Sequence, residues 1–250
     1  MSPAIIALIT FGCTFGGALL GNLLHKALPP SNVTQESQDV VRLGIGLVAT
    51  MTALLLGLVT ASAKEAFDSQ DAAIKTSATN ILTLDRHLDR YGFETHPIRA
   101  QLLEVVAARI QATWGQSRAR FTAEETTAFA EGIQQRILAL APATEAQRWH
   151  KAQALQLAEE VLRTRWRVME GASGSTSTPF LTVVISWLTI TLLSFGLFAP
   201  RNATVLASLF VVSVSVAAAV YLILELDNPF SGSIMISSGP LRFALTHLGR

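Results

Sequence analysis

The sequence predicts an all-α integral membrane protein with four transmembrane helices and a helical domain inserted between the second and the third. Four apolar stretches each approach or exceed the roughly 20 residues that a helix needs to cross a hydrocarbon core of about 30 Å. They cover residues 3–24, 43–63, 179–199 and 203–224. The chain of 250 residues is 50% hydrophobic and 15% charged, which is too apolar for an ordinary soluble domain. The charges collect in the insert, which carries fourteen Lys or Arg and fourteen Asp or Glu.

The first span contains two pairs of glycines at a spacing of four, and these pairs predict close packing against another helix. Small residues at this spacing let two helix backbones approach each other in lipid. The helix-packing candidates in this span are therefore Gly12, Gly16, Gly17 and Gly21.

The beginning of the chain does not have the pattern of a secretory signal. Residues 1–3 include no Lys or Arg, and residues 24–28 do not form a small-x-small cleavage site, so we expect the span to stay in the mature chain. Cys13 is the one cysteine and is expected to be a small packing residue. A single cysteine provides neither a disulfide framework nor a Cys/His metal cluster.

The second span allows two interpretations. Small residues form one stripe along the helix: Gly46, Thr50, Ala53, Gly57 and Thr60 or Ala61. In the first interpretation this stripe, and Gly46 and Gly57 above all, is where a neighbouring helix packs closely. In the second, several copies of the helix surround an axis, bulky side chains make an apolar constriction, and hydroxyl groups assist a partly dehydrated anion. The pore or neck candidates are then Leu47, Thr50, Leu54, Leu55 and Leu58.

Polar groups in the third and fourth spans are expected to be structural. Hydroxyl side chains in lipid usually donate to the carbonyl four residues earlier, which is the role we assign to Thr182, Ser186, Thr189, Ser208 and Ser215. The four spans carry no Asp, Glu, Lys or Arg. Proton relays and cation-coupled transporters normally need an ionisable group near the membrane midplane, so the sequence disfavours those classes.

The insert, residues 64–178, reads as helix throughout. An apolar side chain recurs every seven residues at Phe67, Ile74, Ile81 and Leu88, with no Pro or Gly between the second span and Gly92. The span is therefore predicted to continue as one long helix up to that glycine.

Three further helices are predicted in the insert. The first begins near Thr95 and Pro97, ends at Gly115 and carries an apolar stripe from Leu102 to Trp114. Capping boxes at 122–125 and 144–147 open the other two, which are separated by Pro142. The stripe of the third helix is Phe129, Ile133, Ile137 and Leu140; that of the fourth is Leu155, Ala158, Val161, Leu162 and Trp166. Residues 171–178 are rich in Gly, Ser and Thr and are predicted to be a flexible lead into the third span.

With an even number of spans, the insert and both chain ends share one side of the membrane. That side holds sixteen of the nineteen basic residues, and the excess persists near the ends of the spans, so it is predicted to be the cytoplasm. The predicted organisation is a first transmembrane pair in 1–63, a cytoplasmic helical domain in 64–178, a second pair in 179–224 and a cytoplasmic tail in 225–250.

Two acidic residues follow the fourth span, where the negative end of the helix dipole disfavours them. Glu225 and Asp227 are either a solvated pair that meets a basic side chain such as Arg242, or a cation or gate contact at the cytoplasmic mouth. The five histidines show no ligand spacing and are expected at the surface or the membrane interface.

Three segments resemble a bacterial family of integral membrane proteins described as bestrophin-like. They are residues 40–50 entering the second span, 56–64 leaving it and 225–232 after the last span. Bestrophins are pentameric anion channels whose second transmembrane helix lines a narrow apolar neck, so the resemblance implies the same layout here. Asn228, Pro229 and Phe230 are similar to the Asn/Asp-Pro-Phe step of that family and are added to the mouth candidates. Ser231 to Ile234 replace the acidic calcium-binding run of animal bestrophins, so calcium gating is not implied.

The function predicted from the sequence is passive conduction of chloride-type anions by a homo-oligomer in the bacterial inner membrane. The alternative is a non-conducting scaffold or sensor whose cytoplasmic helices bind a protein partner. No nucleophile, phosphate loop or paired carboxylate motif is present, so we expect no enzyme activity, no cofactor and no metal site. A net charge of +1 gives no reason to expect binding to nucleic acid. The expected partners are the lipid bilayer, further copies of the chain and small inorganic ions.

Overall fold

The structure is a computed structural model that describes residues 2–27, 35–115, 123–171, 178–200 and 202–249. Side chains at 26–27, 35–38, 123–130, 170–171 and 178 lie outside this description. The regular elements within the described ranges are helical. They are α1 (Pro3–Ala27), α2 (Gln35–Tyr91), α3 (His96–Trp114), α4 (Ala123–Leu138), α5 (Glu145–Gly171), α6 (Thr178–Phe198), α7 (Ala203–Leu226) and α8 (Gly239–His247), with a 3₁₀ turn at Phe93–Thr95.

The chain forms two compact units. The first comprises Met1–Ala66 and Gly174–Asn228, and the second comprises Phe67–Ser173 and Pro229–Arg250. Within the described ranges, four helices are long and apolar enough to cross a membrane: α1, the N-terminal part of α2, α6 and α7. Helix α2 runs without interruption from the first unit into the second, as the sequence predicts.

In the first unit, α1 packs against both α6 and α7. Leu181, Val220 and Leu224 form a small buried cluster. Phe210 of α7 meets Phe11 and Phe15 of α1 edge to face, with ring centroids 5.6 and 5.5 Å apart. These apolar contacts hold three of the candidate spans, α1, α6 and α7, together.

In the second unit, the seven-residue repeat of α2 forms the centre of the core. Ile74, Ile81 and Leu88 are buried and Phe67 is partly buried, whereas Lys75 is exposed. The predicted stripe of α3 is also confirmed, because its members from Leu102 to Ile110 are buried and Trp114 packs at the edge of the core.

Two predicted helix boundaries in the second unit, the end of α2 and the start of α5, are confirmed by their local geometry. Helix α2 ends before Gly92, whose φ of 138° favours glycine. The Thr95 hydroxyl donates to the carbonyls of Leu88 and Gly92, so it closes the preceding turn instead of capping α3. At α5, Thr144 and Gln147 exchange side-chain bonds to each other's backbone N–H groups, which is the predicted capping box.

The C-terminal segment packs into the core of the second unit. Ile236, Leu241, Ala244 and Leu248 are buried beside the side chains of the insert. The indole Nε1 of Trp114 donates to the carbonyl of Ile236 at 2.8 Å. Residues far apart in the sequence therefore complete one core.

Some details of the predicted insert differ. Trp166 is 54% exposed, so it does not continue the buried stripe of α5. The neighbouring Arg165 is the buried side chain at this level of the helix. Leu140 lies beyond the end of α4 and is partly buried. The capping box at 122–125, the Phe129 side chain and most of the predicted flexible lead fall outside the described residues.

Candidate functional site

The neck candidates of α2 divide between two faces of the helix. Leu47, Leu54 and Leu58 are 64%, 71% and 64% exposed, and Thr50 is exposed with them. Spacings of three, four and seven residues place these four side chains on one face of a helix. Among the described residues of the single chain, little protein covers this face.

The other face of α2 is partly covered. Thr52 and Ala63 are buried, and Leu55 is half-buried. Leu55 lies about 100° around the helix from Leu54 and shares the face of Thr52. The structure therefore does not bring Leu55 together with the other four candidates.

The hydroxyl of Thr50 is already engaged within its own helix. It donates to the carbonyl of Gly46 at 2.8 Å, as Thr52 and Thr60 do to their own preceding carbonyls. To donate to a passing anion, this hydroxyl must give up that bond. The hydroxyls of Ser186, Thr189, Ser208 and Ser215 make the same bond to the carbonyl four residues earlier, as the sequence predicts.

The six packing glycines also fall into two groups. A Cβ added to Gly21 would lie 2.0 Å from the carbonyl oxygen of Leu193, and one added to Gly17 would lie 3.0 Å from Thr189 Cγ2. On the partner helix, a Cβ at Gly196 would lie 2.0 Å from the carbonyl oxygen of Ala18. Backbones of α1 and α6 therefore touch where side chains are absent. Added Cβ atoms at the other four meet nothing within 4 Å of the same chain: Gly12, Gly16, Gly46 and Gly57.

The acidic pair at the end of α7 is not a solvated pair in this chain. Glu225 is 3% exposed and Asp227 is half-buried. The Nε of Arg242, which the sequence suggested as a partner, donates to Ser238 Oγ at 2.9 Å. The side chain of Glu225 therefore lies away from water, where a polar group needs hydrogen-bond partners within the protein.

The Asn228, Pro229 and Phe230 step has a structural role. The side chain of Asn228 donates to the Leu224 carbonyl at 2.8 Å and so closes the end of α7. The carbonyl of Pro229 accepts from the backbone N–H of Ile236 at 2.8 Å. Phe230 meets Trp114 edge to face, with centroids 5.7 Å apart, in the core of the second unit.

A buried ion pair in the second unit was not anticipated from the sequence. Arg99 donates to both carboxylate oxygens of Asp85, at 2.7 and 3.1 Å, and also bonds to Asp89. The hydrogen bonds and charges of these carboxylates raise the pKa of Arg99. The backbone N–H of Gly249 donates to Asp85 at 3.3 Å, so the C-terminal segment is tied to the pair.

Two histidines expected at the surface instead form a half-buried pair. Nδ1 of His87 and Nδ1 of His150 are 3.0 Å apart, so one of them donates to the other, and Trp149 packs beside both rings. Burial lowers the pKa of His87 below its usual 6.5, and the positive charges of His150 and Arg90 lower it further. Among the described residues, no group of three or more His, Cys, Asp or Glu could hold a metal ion.

Two arginines occupy the apolar interior of the second unit. Arg109 and Arg165 are each 8% exposed and both line a cavity formed with aliphatic side chains. The sequence contained a signal for this burial. Arg109 lies four residues after Val105 in the apolar stripe of α3, and Arg165 lies four residues after Val161 in the apolar stripe of α5. A charge at such a position marks a buried group.

These features define a chain with the helices of a multi-span membrane protein and a helical second unit. A family model described as a bestrophin-like domain matches residues 12–241. The chain therefore belongs to the bestrophin-like family, as its sequence segments suggested.

Solved structures with the same fold cover nearly the whole chain. A point-mutant crystal structure of a bacterial bestrophin homologue from Klebsiella pneumoniae has a TM-score of 0.70 at 13% identity, covering 96% of this chain and 98% of that one. The structure of that homologue solved by Zn-SAD phasing has a TM-score of 0.68 at 13% identity, with 93% and 96% covered. A crystal structure described as a membrane protein mutant has a TM-score of 0.70 at 11% identity, with 96% of each chain covered. None of the curated proteins matches the sequence.

Proposed function

We propose that this chain is one subunit of a homo-oligomeric membrane channel that conducts small inorganic anions through an apolar neck lined by α2. The main support is the uncovered state of the second span. Only 6% of the most apolar window of α2 is buried, against 22–28% in the other three spans. The helix that would line the neck is thus the one with the least protein around it in a single chain.

The chemistry of the exposed face fits a neck. Leu47, Leu54 and Leu58 would place three levels of bulky apolar side chains around an axis, while Gly46 and Gly57 would let adjacent copies approach closely. An apolar constriction discriminates among ions by their hydration cost. Five copies are expected by resemblance to bestrophins.

Ion flux from liposomes tests this proposal directly. Purified wild-type protein should release chloride faster than empty liposomes do. Leu54→Ala and Leu58→Ala should raise the flux, because a smaller side chain widens and wets a neck. Leu55→Ala removes the same atoms from the other face of α2 and is the matched control, which should leave the flux close to the wild-type value.

The proposal is rejected if a verified oligomer shows no flux in the wild type and in both neck variants. A non-conducting scaffold or sensor would then be the better description. A rise in flux with Leu55→Ala and none with Leu54→Ala or Leu58→Ala would keep the channel but assign its lining to the other face of α2.

Thr50 and Glu225 are secondary candidates in this channel. Thr50→Val keeps the shape of the side chain and removes its hydroxyl, so a lower flux would mean that the hydroxyl leaves Gly46 to meet the ion. Glu225→Gln removes a buried charge and should change the flux only if this carboxylate faces the mouth.

The proposed orientation has the insert and both chain ends in the cytoplasm. Single cysteines replacing Ser31, Ser117 and Ser237 in a Cys13→Ala background test it. A membrane-impermeant thiol reagent applied to intact cells should label only position 31, and labelling at 117 would invert the topology.

A further inference from the structure

Two histidine rings from different helices of the second unit face each other through the same ring nitrogen. Nδ1 of His87 on α2 lies 3.0 Å from Nδ1 of His150 on α5. Both residues are half-buried, so water reaches the pair. The two positions are 63 residues apart in the chain, which is why ligand spacing in the sequence does not reveal them.

The helices that carry these rings are held together beside the pair. The indole ring of Trp149 packs against both imidazoles, with centroids 5.3 Å from His87 and 4.8 Å from His150. One turn along each helix, the side chain of Gln147 on α5 donates to the carbonyl of Tyr91 on α2 at 3.0 Å. The backbone positions of the two histidines are therefore fixed by the fold.

The chemistry of the pair selects one class of ligand. Imidazole nitrogen binds Cu²⁺, Ni²⁺ and Zn²⁺, whereas Ca²⁺ and Mg²⁺ require oxygen ligands. The positive charge of Arg90 also acts on His87, so a cation is held here by metal–nitrogen bonds and not by attraction to charge. Water would fill the remaining coordination positions, because among the described residues no third His, Cys, Asp or Glu joins the pair.

The distance between the nitrogens decides among these metals. A metal–imidazole bond is about 2.0–2.1 Å long, so two such bonds to nitrogens 3.0 Å apart enclose an angle of about 91–97° at the metal. Neighbouring ligands of a square-planar or tetragonal Cu²⁺ or Ni²⁺ ion make this angle. A tetrahedral zinc ion would need the nitrogens about 3.3–3.4 Å apart. The metal lies about 1.4 Å from the line joining the nitrogens. The broad χ2 torsion of histidine lets each ring turn towards it.

We propose that His87 and His150 form a two-histidine site for a divalent late transition metal, with Cu²⁺ or Ni²⁺ preferred to Zn²⁺, that links α2 to α5. In the metal-free pair one Nδ1 carries the proton of the hydrogen bond. When both Nδ1 atoms bind the metal, that ring carries its proton on Nε2 instead.

This site is independent of the proposed neck. Both histidines belong to the second unit, whereas the neck candidates belong to the first. The site could exist in a chain that conducts nothing, and the channel could work without it.

Thermal unfolding of the full-length protein in detergent tests the site. The protein carries Cys13→Ala, which removes the exposed thiol as a competing ligand, and has no polyhistidine tag. The unfolding midpoint is followed as the NiCl₂ concentration rises at constant ionic strength. A metal that binds only the folded protein raises the midpoint in a saturable way. MgCl₂ should leave the midpoint unchanged, and ZnCl₂ should act only at higher concentrations than NiCl₂.

Replacing either histidine should weaken this response. His87→Gln and His150→Gln should each raise the half-effect concentration of NiCl₂ by about tenfold or more, because one of the two metal–nitrogen bonds is lost. His96→Gln is the matched control, because the exposed ring of His96 on α3 packs on Phe93 and not on another histidine. Its variant should respond as the Cys13→Ala parent does.

Three results of this titration would overturn the proposal. The first is a Cys13→Ala parent without a saturable response to NiCl₂. The second is an unchanged response in His87→Gln or His150→Gln. The third is an equal response to MgCl₂, which would show an effect of ionic charge alone. A lower half-effect concentration for ZnCl₂ than for NiCl₂ would contradict the assignment of the metal.

A crystallographic measurement covers the case in which the histidine variants do not fold. Crystals of the Cys13→Ala protein soaked in NiCl₂ should give an anomalous peak at the nickel absorption edge within bonding distance of both Nδ1 atoms. A map without a peak at this position would refute the site.

Discussion

Gly21→Ala should separate the first and third spans, because α1 and α6 touch at this glycine. The added Cβ would lie 2.0 Å from the Leu193 carbonyl oxygen and 2.9 Å from the Leu197 nitrogen. Even a close carbon–oxygen contact in proteins is about 3.3–3.6 Å. The backbones must therefore move apart by more than about 1 Å, which forfeits a large part of the dispersion attraction along the crossing.

The expected cost of Gly21→Ala is about 1–3 kcal/mol, the usual range for overpacking. Alanine is the better helix former by up to about 1 kcal/mol, so the observed loss is the balance of the two effects. Gly12→Ala is the matched control on the same helix, because its added Cβ meets nothing within 4 Å of the same chain. Gly196→Ala should reproduce the Gly21 result from the other side of the crossing.

The assay is the thermal unfolding midpoint of detergent-purified protein, with subunit assembly followed separately by size-exclusion chromatography. Gly21→Ala should lower the unfolding midpoint. Gly12→Ala should leave the midpoint unchanged or raise it slightly. Equal midpoints for the two variants would refute the close crossing of α1 and α6. An effect of Gly12→Ala on assembly alone would instead indicate a contact between copies.

Three predictions concern the second unit and can be checked by thermal or denaturant unfolding. Ile81→Ala should lower the free energy of unfolding by about 2–5 kcal/mol, because it leaves a cavity at a buried site. Lys75→Ala should lower it by less than about 0.5 kcal/mol, because that side chain is exposed. Equal losses would mean that the seven-residue repeat is accidental. Asp85→Asn should cost about 3–5 kcal/mol, because it leaves a buried guanidinium with a neutral partner, and a neutral outcome would contradict the buried ion pair. The lowered pKa of His87 means that the unfolded chain takes up its proton at a higher pH than the folded chain does. Stability should therefore be complete above pH 6.5 and fall below it. His87→Gln should reduce this decrease in stability at low pH, whereas His96→Gln, at an exposed position, should not. A wild-type stability profile without a decline below pH 6.5 would contradict the prediction.

The parts of the fold that sequence patterns predicted correctly are those in which one face of a helix meets water. Ile74, Ile81 and Leu88 are buried and Lys75 is exposed because period and polarity agree in the insert. The end of α2 at Gly92 also follows from local chemistry. Helix length and hydropathy were sufficient to locate four candidate spans for a different reason, because a helix that crosses a bilayer needs one long apolar run.

Only the tertiary structure decided which faces of the spans pack. In lipid every face of a helix is apolar, so periodicity cannot tell that Gly21 touches α6 while Gly12 faces open space. It likewise could not separate Leu55 from Leu54 on α2. The contacts of Arg109 depend on residues from four helices, and no local pattern specifies which distant side chains meet. The sequence determined where the helices are, because that depends on neighbouring residues, and the tertiary structure decided what they enclose, because that depends on residues far apart in the chain.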